Sequence, residues 1–557
     1  MPLPSTGQME ISSLDVVSFT LLNPQYDVHQ PVFIDPANPE TSLSHAQSVS
    51  LIRRLIAGLK SAGLKPGDVV CIHSFNTIFV PVICLAVIGA GGIFVGTNPS
   101  YMEHELTNVL RVSKVKFVLS EPEVVGPIKL AMTAQGLDVD QYLFAFDHLQ
   151  NHGAPHGMRS WKWLLSQGEQ VWIRFDNEQR QTDTVAGYFL TSGTTGLPKV
   201  AMVTHRNLVA QHQMFWEKNP RDYKIRTVHV FPLYHIGSFP TVIVSQLRDG
   251  REAYIMRRFV LEPWLSYHQR FDITEVFMAP PMVVQVVMSK MADPGASEYK
   301  HSLRSVRNGY IGAAPLSADM QKRFHSLLAP SARLGQIWGM TETTSQATSV
   351  PPELADLTLK GKADAWGSIG KPLPNVEIKL VDEEGNDTSA TRRGEACIKG
   401  PNVFRGYLDN EEANRQSWDN EGYFKTGDVM EVDKETGLMY VVDRHKELIK
   451  VRGFQVAPAE LEGVLTSHPD ITDAAVVGIP SERSGEIPRA YVVLRGGASL
   501  GPDDIRAFMK SRLASYKALE GGIIFAKKIP KLPSGKILKR VIREWAKEEL
   551  KGPNAKL

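Results

Sequence analysis

The segment from Tyr188 to Asn207 reads YFLTSGTTGLPKVAMVTHRN and carries residue types that bind a phosphate group. Its glycines let the backbone approach an anion, its hydroxyls and backbone amides donate hydrogen bonds, and its lysine adds a positive charge. We expect an apolar strand before this loop and a helix after it. The candidate phosphate loop comprises Thr191, Ser192, Gly193, Thr194, Thr195, Gly196, Leu197, Pro198 and Lys199.

The spacing of this loop differs from that of the common nucleotide-binding loops. A Walker loop reads GxxxxGK followed by Ser or Thr, whereas Gly193 and Gly196 are three residues apart and Pro198 precedes Lys199. No GxGxxG pattern follows a predicted strand either. A P-loop or Rossmann site is therefore disfavoured. The alternative is a flexible linker, but a linker would not be expected between an apolar strand and a helix.

Length and composition indicate a folded protein of two to four domains. The chain has 557 residues, of which 43% are hydrophobic and 22% are charged. Lys plus Arg (62) nearly balance Asp plus Glu (60), so no overall field attracts nucleic acid or an anionic membrane, and any anion site must be local. Cys71, Cys84 and Cys397 lie far apart without a CxxC pair, which argues against a disulfide framework and a structural zinc site and fits a reducing compartment.

One uncharged run, residues 78–96, has the length of a membrane span. Its prolines and glycines divide it into an apolar helix, about Val82 to Ile88, and a short strand, Ile93 to Val95. We therefore predict a buried core element and no membrane span. The first basic residue is Arg53, so the N-terminus lacks the basic region of a secretory signal or transit peptide.

Strand-like and helical runs alternate through the first 440 residues, which predicts parallel sheets covered by helices. The expected strands are Val69 to His73, Phe117 to Leu119, Gly187 to Leu190, Thr227 to Phe231 and Glu275 to Met278. Beyond Asp443 the pattern changes to a small α+β domain. There we expect a hairpin (Glu447 to Val456), a helix after Pro458, strands Ala474 to Ile479 and Arg489 to Leu494, and helices near Asp503 and Ile537.

Six further segments, together with the phosphate loop, resemble the adenylate-forming superfamily of acyl-CoA synthetases, 4-coumarate-CoA-type ligases, adenylation domains and luciferases. They are FPLYHIGSF (231–239), GAAPLS (312–317), QIWGMTETT (336–344), YFKTGDV (423–429), DRHKELIKVRGFQVAPAELE (443–462) and PKLPSGKILKR (530–540). The resemblance implies an α/β fold: a large N-terminal domain of two helix-covered sheets plus a barrel-like subdomain (1–443), a hinge at 444–446 centred on Lys446, and a small mobile α+β C-terminal domain (447–557).

The resemblance implies a reaction in two steps that uses ATP, Mg²⁺ and CoA. A carboxylate attacks the α-phosphate of ATP to give acyl-AMP, and the CoA thiolate then attacks the acyl carbonyl. Glu342 matches the Mg²⁺ carboxylate, Thr341 the α-phosphate contact, and Lys536 the lysine that bridges carboxylate and phosphate oxygens. The remaining nucleotide positions are Gly312, Ala313, Ala314, Gln336, Ile337, Trp338 (the adenine-stacking aromatic), Gly339, Met340, Asp428 and Arg444 (ribose), Lys450 and Gln455.

The second step is implied to use the hairpin that carries Arg452, Gly453 and Phe454, which would receive CoA after the C-terminal domain rotates. His235 matches the residue near the substrate carboxylate. The implied acyl pocket is lined by His235, Ile236, Gly237, Ser238, Phe239, Asn308, Gly309, Tyr310, Ile311, Ile337 and the residues around Gln336 and Thr344 to Gln346.

The acyl-pocket segments depart from the family pattern at Ile311, which replaces a small polar residue, and at Ile337, which replaces a glycine. Both add apolar bulk, while Gly237 removes bulk opposite, so we expect a reshaped hydrophobic slot. No basic side chain stands out for a second carboxylate. These features favour a medium-chain or branched aliphatic acid, or an arylalkanoic acid, over acetate.

Three alternatives are an enzyme that passes the acyl group to a carrier protein, one that oxidises the adenylate as luciferases do, and an inactive nucleotide-binding regulator. The presence of Glu342, Asp428, Arg444 and Lys536 argues against an inactive regulator.

The terminal Ala555, Lys556 and Leu557 resemble a C-terminal peroxisomal address. We therefore expect an import receptor as a partner and a peroxisomal, otherwise cytoplasmic, location.

Overall fold

A computed structural model describes residues 3, 5–148, 153–191, 199–382, 384–388, 391–444, 447–451, 454–481, 485–513, 515–532 and 535–551. Its helices are α1 (Val16–Leu21), α2 (His45–Ser61), α3 (Val80–Gly89), α4 (Glu103–Val112), α5 (Val125–Ala134), α6 (Val139–Tyr142), α7 (Glu178–Asp183), α8 (His205–His212), α9 (Gln246–Asp249), α10 (Leu261–Arg270), α11 (Pro280–Ser289), α12 (Ala318–His325), α13 (Pro352–Leu359), α14 (Glu411–Ser417), α15 (Pro458–Ser467), α16 (Pro502–Lys510) and α17 (Lys539–Lys551).

The strands, in chain order, are β1 (Pro31–Ile34), β2 (Ser42–Ser44), β3 (Val69–His73), β4 (Ile93–Thr97), β5 (Val115–Ser120), β6 (Leu143–Ala145), β7 (Arg159–Ser160), β8 (Val185–Thr191), β9 (Lys199–Thr204), β10 (Arg226–His229), β11 (Glu252–Ile255), β12 (Glu275–Met278), β13 (Asn308–Ile311), β14 (Arg333–Met340), β15 (Ser345–Ser349), β16 (Lys371–Pro372), β17 (Glu377–Val381), β18 (Arg393–Lys399), β19 (Gly406–Tyr407), β20 (Phe424–Val432), β21 (Met439–Arg444), β22 (Ile449–Val451), β23 (Phe454–Val456), β24 (Ile471–Ser481), β25 (Gly485–Leu494) and β26 (Ile523–Phe525).

Two large sheets form the N-terminal part of the protein, as predicted. The first has the order β16-β15-β14-β13-β12-β10-β11-β1-β2, and its six central strands β14 to β1 run parallel. The second has the order β19-β9-β8-β4-β3-β5-β6-β7. Because the carboxyl ends of parallel strands share one edge, the ends of β12, β13 and β14 open onto a common crevice, where α/β proteins bind ligands.

The uncharged run at residues 78–96 is a core element, as predicted. Every residue of α3 is buried, and strand β4 follows it directly. Among the described residues, no helix is long and apolar enough to cross a bilayer.

Smaller sheets complete the structure. An antiparallel sheet with the order β17-β18-β20-β21 lies between the large sheets and the C-terminal segment in sequence. In the C-terminal part, β23-β22-β25-β24 form a sheet with β26 at its side, and α15, α16 and α17 accompany it. The predicted hairpin, helices and strands of this domain are all found. Pro502 occupies the first turn of α16, with Asp503 and Asp504 beside it, where the helix dipole favours acidic residues.

The prediction of a helix after the phosphate loop was wrong. Residues Lys199–Thr204 form strand β9, which pairs antiparallel with β8, and α8 begins only at His205. The run Lys-Val-Ala-Met-Val-Thr alternates between the two faces of the sheet and is rich in β-branched residues, so it pairs with the apolar strand before it. The helix starts where Thr204 and Asn207 form a capping box.

Candidate functional site

Thr191 and Lys199 are register partners at the end of the β8–β9 hairpin that the phosphate loop joins, so the sheet fixes both ends of this loop. The Lys199 ammonium lies 4.8 Å from the centroid of the Tyr407 ring. A cation at this distance over an aromatic face is attracted by the ring quadrupole. The loop thus ends on a cation that is held in place by an aromatic side chain from a distant segment.

The carboxylate of Glu342 lies beside the same tyrosine. Glu342 is 5% exposed, and the Tyr407 hydroxyl donates a hydrogen bond to its Oε1 over 2.7 Å. The amide of Phe404 donates to the Glu342 carbonyl over 2.9 Å, and the Asn402 side chain donates to the Thr343 carbonyl over 3.0 Å. Burial, followed by the nearby Glu342 charge, raises the pKa of Tyr407, which therefore stays a hydroxyl donor.

Segment 402–407 therefore fixes the turn that carries Thr341 and Glu342, although it lies outside the segments that resemble family motifs. Its only local signal is an apolar and aromatic run that ends in Gly-Tyr, which by itself is typical of a short strand. The partners Tyr407 and Glu342 are 65 residues apart in sequence, so only the packed structure reveals the contact.

The backbone around this turn is tight. Gly339 lies so close to the Ser345 carbonyl that a Cβ at Gly339 would be 1.7 Å from its oxygen. Thr344 and Ser345 have φ values of 52° and 88°, and Ala313 in the predicted adenine segment has φ of 73°. Non-glycine residues with positive φ are uncommon and collect at ligand sites, where the surrounding structure holds them.

Trp338 and Asp428 are in direct contact. The indole Nε1–H donates to Asp428 Oδ2 over 2.8 Å, and both side chains are buried. Across the antiparallel pair β20–β21, Asp428 stands opposite Arg444 in the strand register. The predicted adenine-stacking aromatic and the predicted ribose-binding positions are therefore brought together.

Gln336 has a different environment from its neighbours. Its Oε1 accepts from the Leu316 amide over 2.6 Å, and its Nε2 donates to the Gly367 carbonyl over 2.8 Å. The side-chain amide of Gln336 thus connects the loop after β13 to the segment before β16.

Gly312 is in contact range of Ile337, because a Cβ built on Gly312 would lie 3.0 Å from Ile337 Cγ1.

Lys536 approaches the N-terminal domain through a glycine turn. Gly535 has φ of 87°, and a Cβ there would lie 3.1 Å from the ring of Pro281 and 3.3 Å from Ala279, at the start of α11. The Leu532 amide closes the turn by donating to the Lys536 carbonyl over 2.8 Å. The C-terminal domain is therefore docked with Lys536 at the end of strand β12.

His235 lies close to this lysine. Burial and, to a smaller extent, the positive charge of Lys536 lower the pKa of His235 to about 4. The Gly237 amide donates to His235 Nδ1 over 3.1 Å, so the neutral ring carries its proton on Nε2. A neutral imidazole beside an ammonium group can donate a hydrogen bond to an acid without adding a second positive charge.

The predicted acyl-pocket residues divide into two groups. Ile236 and Phe239 lie in the core with Phe94 and Phe189, and Phe239 is 4.9 Å from Phe94 between ring centroids. Ile311 is buried in the core under α11 and α12. Ser238 donates to the Pro232 carbonyl over 2.6 Å and so shapes the His235 loop.

The second group, Tyr310 and Ile337, lies on the other face of the sheet. Successive residues of a strand point to opposite faces, so Tyr310 faces away from Ile311, and its register partner Gly335 lies two residues before Ile337. Tyr310 stacks on Phe277 with ring centroids 4.8 Å apart. A small recess lies beside it, lined by residues that include Phe215 and Gly335.

Several predicted positions lie outside the described residues. They are Ser192, Gly193, Thr194, Thr195, Gly196, Leu197 and Pro198 of the phosphate loop, the hinge residue Lys446, Arg452 and Gly453 of the CoA hairpin, and Ala555, Lys556 and Leu557. For Arg444, Lys450, Phe454 and Gln455 the structure describes the strand but not the side chain.

Comparison with known proteins identifies similar domains along the chain. Residues 24–408 match the AMP-binding enzyme family, and residues 460–536 match the AMP-binding enzyme C-terminal domain. A phenylacetyl-CoA ligase from Aspergillus niger is 41% identical, over 98% of this chain and 99% of that protein. A 4-coumarate–CoA ligase from Nicotiana tabacum is 34% identical, over 92% of this chain and 91% of that protein. The crystal structure of ATP-bound MatB from Rhodopseudomonas palustris is 25% identical, covers 97% of this chain and 100% of that one, and superposes with a TM-score of 0.80.

Proposed function

Because the chain belongs to the family of AMP-binding enzymes and is an acyl-CoA ligase, an acid–thiol ligase, we propose that it adenylates a medium-chain, branched or arylalkanoic acid at the crevice around Lys536, Glu342 and Asp428. The observation that carries this proposal is the docking of the Gly535–Lys536 turn on α11, with the ammonium near His235. We infer that the Lys536 ammonium and the neutral His235 imidazole act together there with the buried Glu342 carboxylate.

In the first step the residues lower the electrostatic cost of bringing two anions together. Lys536 places a fixed positive charge where the acid carboxylate meets the α-phosphate, which stabilises the charge that develops there. Lys199, held over Tyr407, supplies a second cation at the end of the phosphate loop. Trp338 and Asp428 bind adenine and ribose, and Thr341 contacts the α-phosphate.

The residues at Glu342 fit a Mg²⁺ ion that arrives with ATP. Among the described residues, no group of three His, Cys, Asp or Glu side chains could hold a metal by itself. Mg²⁺ keeps several waters and is usually bound through one or two carboxylates plus substrate phosphates, so a single buried carboxylate beside a phosphate loop suits it. When bound, the ion offsets phosphate charge. Glu342 would hold it, and Tyr407 orients Glu342.

For the second step we propose that the C-terminal domain rotates about Lys446. The rotation would withdraw Lys536 and bring the Lys450–Gln455 hairpin to the crevice, where Arg452, Gly453 and Phe454 would receive CoA. The contacts that must break include the packing of Gly535 against Pro281 and Ala279 and the hydrogen bond from Arg495 Nη2 to Met288 Sδ.

The substrate class is inferred from the aromatic surroundings of Tyr310 and from the similar proteins. The rings of Phe215, Trp216, Phe277 and Tyr310 pack against one another beside the recess. The relative from Aspergillus niger is named for phenylacetate. We therefore favour an acid with an aryl or branched apolar group over acetate.

Pyrophosphate release, measured on a panel of aliphatic and arylalkanoic acids with and without CoA, tests the proposal. AMP and acyl-CoA formed together, identified by mass spectrometry, are the expected result. Pyrophosphate release without thioester would indicate a carrier-protein acceptor or oxidation of the adenylate, neither of which the similar proteins favour. Absence of pyrophosphate release with every acid would contradict the proposed substrate class.

A further inference from the structure

A buried asparagine joins the two large sheets next to the loop that carries His235. Asn76 is 7% exposed and lies three residues after strand β3 of the second sheet. Its side chain reaches the first sheet, where Phe231 lies two residues after β10 and Met256 directly follows β11. These positions all come just after the carboxyl end of a strand, which is the edge where α/β proteins bind ligands.

The side-chain amide of Asn76 makes three hydrogen bonds, all of them to backbone atoms. Its Nδ2 donates to the Phe231 carbonyl over 2.9 Å and to the Met256 carbonyl over 3.2 Å. Its Oδ1 accepts from the Leu233 amide over 3.0 Å. Both N–H donors of the side chain are thus used, together with its acceptor oxygen. Alanine at this position would take a hydrogen-bond partner away from two carbonyls and one amide.

Two of these bonds fall on the chain immediately before His235. They hold Phe231 and Leu233, which are four and two residues before the histidine. The His235 amide donates to the Pro232 carbonyl over 3.0 Å, which closes residues 232–235 into a four-residue turn. The Ser238 hydroxyl donates to the same carbonyl over 2.6 Å. The position of His235 is therefore set by a turn that Asn76 holds from outside.

The segment before Asn76 has its own anchor in Glu121, which directly follows strand β5. Glu121 Oε1 accepts from the Ser74 hydroxyl over 2.6 Å and from the Phe75 amide over 3.0 Å. Its Oε2 accepts from Nη2 of Arg257, on the first sheet, over 2.7 Å. The backbone on both sides of the Asn76 bonds is therefore fixed by a second connection between the two sheets.

The next residue of the turn, Tyr234, packs against the second sheet as well. A Cβ built on Gly96 of strand β4 would lie 2.3 Å from Tyr234 Cβ and 3.0 Å from its Cα. Glycine at position 96 thus allows the turn to approach the backbone of β4. Leu233 is held by a hydrogen bond and Tyr234 by close packing, so the second sheet fixes the two residues that precede His235.

We propose, on the basis of the function proposed above, that Asn76 is a positioning residue for adenylation, which places His235 beside the acid carboxylate through the turn at residues 232–235. Asn76 bonds to the backbone of this turn and acts through the histidine that the turn carries. A displacement of about 1 Å at a reacting centre can lower a rate by about 100-fold, so a loosened turn should slow adenylation.

The test is a cycle in which Asn76→Ala and His235→Ala are made singly and together. Pyrophosphate release is measured with phenylacetate, or with the panel acid that the wild type adenylates fastest. We expect Asn76→Ala to lower kcat by about 10- to 100-fold with KM for ATP unchanged, and the double variant to be no slower than His235→Ala alone. Asn375→Ala removes an amide that makes two hydrogen bonds to the Met9 backbone, of 2.9 Å and 2.7 Å, and should keep the wild-type kcat.

Losses that multiply in the double variant would overturn this inference, because a residue that only stabilises the fold does not act through His235. An unchanged kcat in either single variant would also overturn it. Each of these results leaves the ligase proposal intact. If Asn76→Ala does not fold, Asn76→Ser, whose hydroxyl can replace one of the three bonds, takes its place in the same cycle. Absence of pyrophosphate release by the wild type with every acid would reject the proposed function and this inference with it.

Discussion

The indole Nε1–H of Trp338 donates a hydrogen bond to Oδ2 of Asp428 over a distance of 2.8 Å, between side chains that are 90 residues apart in sequence. Phenylalanine could provide the same apolar face toward adenine, but it could not make this bond. The bond fixes the rotamer of the carboxylate that we assign to ribose. Adenine stacking and ribose binding are thereby coupled through one side chain.

Trp338→Phe should therefore raise KM for ATP with little change in KM for the acid. A hydrogen bond to a charged group contributes about 1.5–3 kcal/mol, which corresponds to about 10- to 100-fold in kcat/KM for ATP. Pyrophosphate release at varied ATP measures the effect. The loss should shrink when 2′,3′-dideoxy-ATP replaces ATP, since no ribose hydroxyls remain for Asp428. The same loss with both nucleotides would contradict the coupling.

Tyr407→Phe should weaken the use of Mg²⁺, because the Tyr407 hydroxyl holds one oxygen of Glu342. We expect pyrophosphate release to fall by about tenfold and the Mg²⁺ concentration for half-maximal rate to rise. Calorimetric titration with MgATP provides a readout that does not depend on turnover. Tyr423→Phe is the matched control, because it removes a hydroxyl that donates to Glu377 over the same 2.7 Å but outside the site. Equal effects in both variants would argue against positioning.

Lys536→Ala should reduce adenylation by about three orders of magnitude while leaving thioester formation from supplied acyl-AMP largely intact. The reason is that its ammonium acts only where carboxylate and phosphate meet. Lys528→Ala, which removes an exposed lysine from the same domain, should change neither step. An equal loss of both steps would refute the assignment of two domain orientations.

Five buried histidines predict that the protein loses stability in mild acid. Burial lowers the pKa of His73, His229 and His268 to about 4 and that of His205 and His212 to about 3. Unfolding returns each pKa to about 6.5, so below that pH the unfolded state binds more protons and the free energy of unfolding falls. We expect a loss of up to about 1–2 kcal/mol per histidine between pH 6.5 and pH 5, measured by urea denaturation.

Two carboxyl groups act in the opposite direction. Burial raises the pKa of Asp15 and Asp473, so their protonation favours the folded state as the pH falls. They are fewer than the histidines, and the net slope should remain positive with pH. His268→Gln should make the slope shallower by removing one depressed group. A free energy of unfolding that is constant over this range would contradict the prediction.

The sequence alone predicted the features that depend on neighbouring residues. The apolar helix α3 and strands β3 and β12 follow from local patterns of hydrophobicity, proline and glycine. The resemblance of seven ordered segments also predicted residues of the crevice, because motifs keep their chemistry within a few positions, and these site assignments stay predictions. The sequence did not predict strand β9, because the six residues Lys199–Thr204 are compatible with either a helix or a strand. Pairing with β8 decides in favour of the strand.

The tertiary structure decided which distant side chains meet. Tyr407 reaches Glu342 across 65 residues and Arg221 reaches Tyr310 across 89, and neither contact has a signal in local periodicity. Such contacts depend on the order of strands in a sheet and on which face each residue presents. That order also separates Tyr310 from Ile311, adjacent residues that point to opposite sides of β13. The aromatic cluster of Phe215, Phe277 and Tyr310 therefore forms only once β12 and β13 lie side by side.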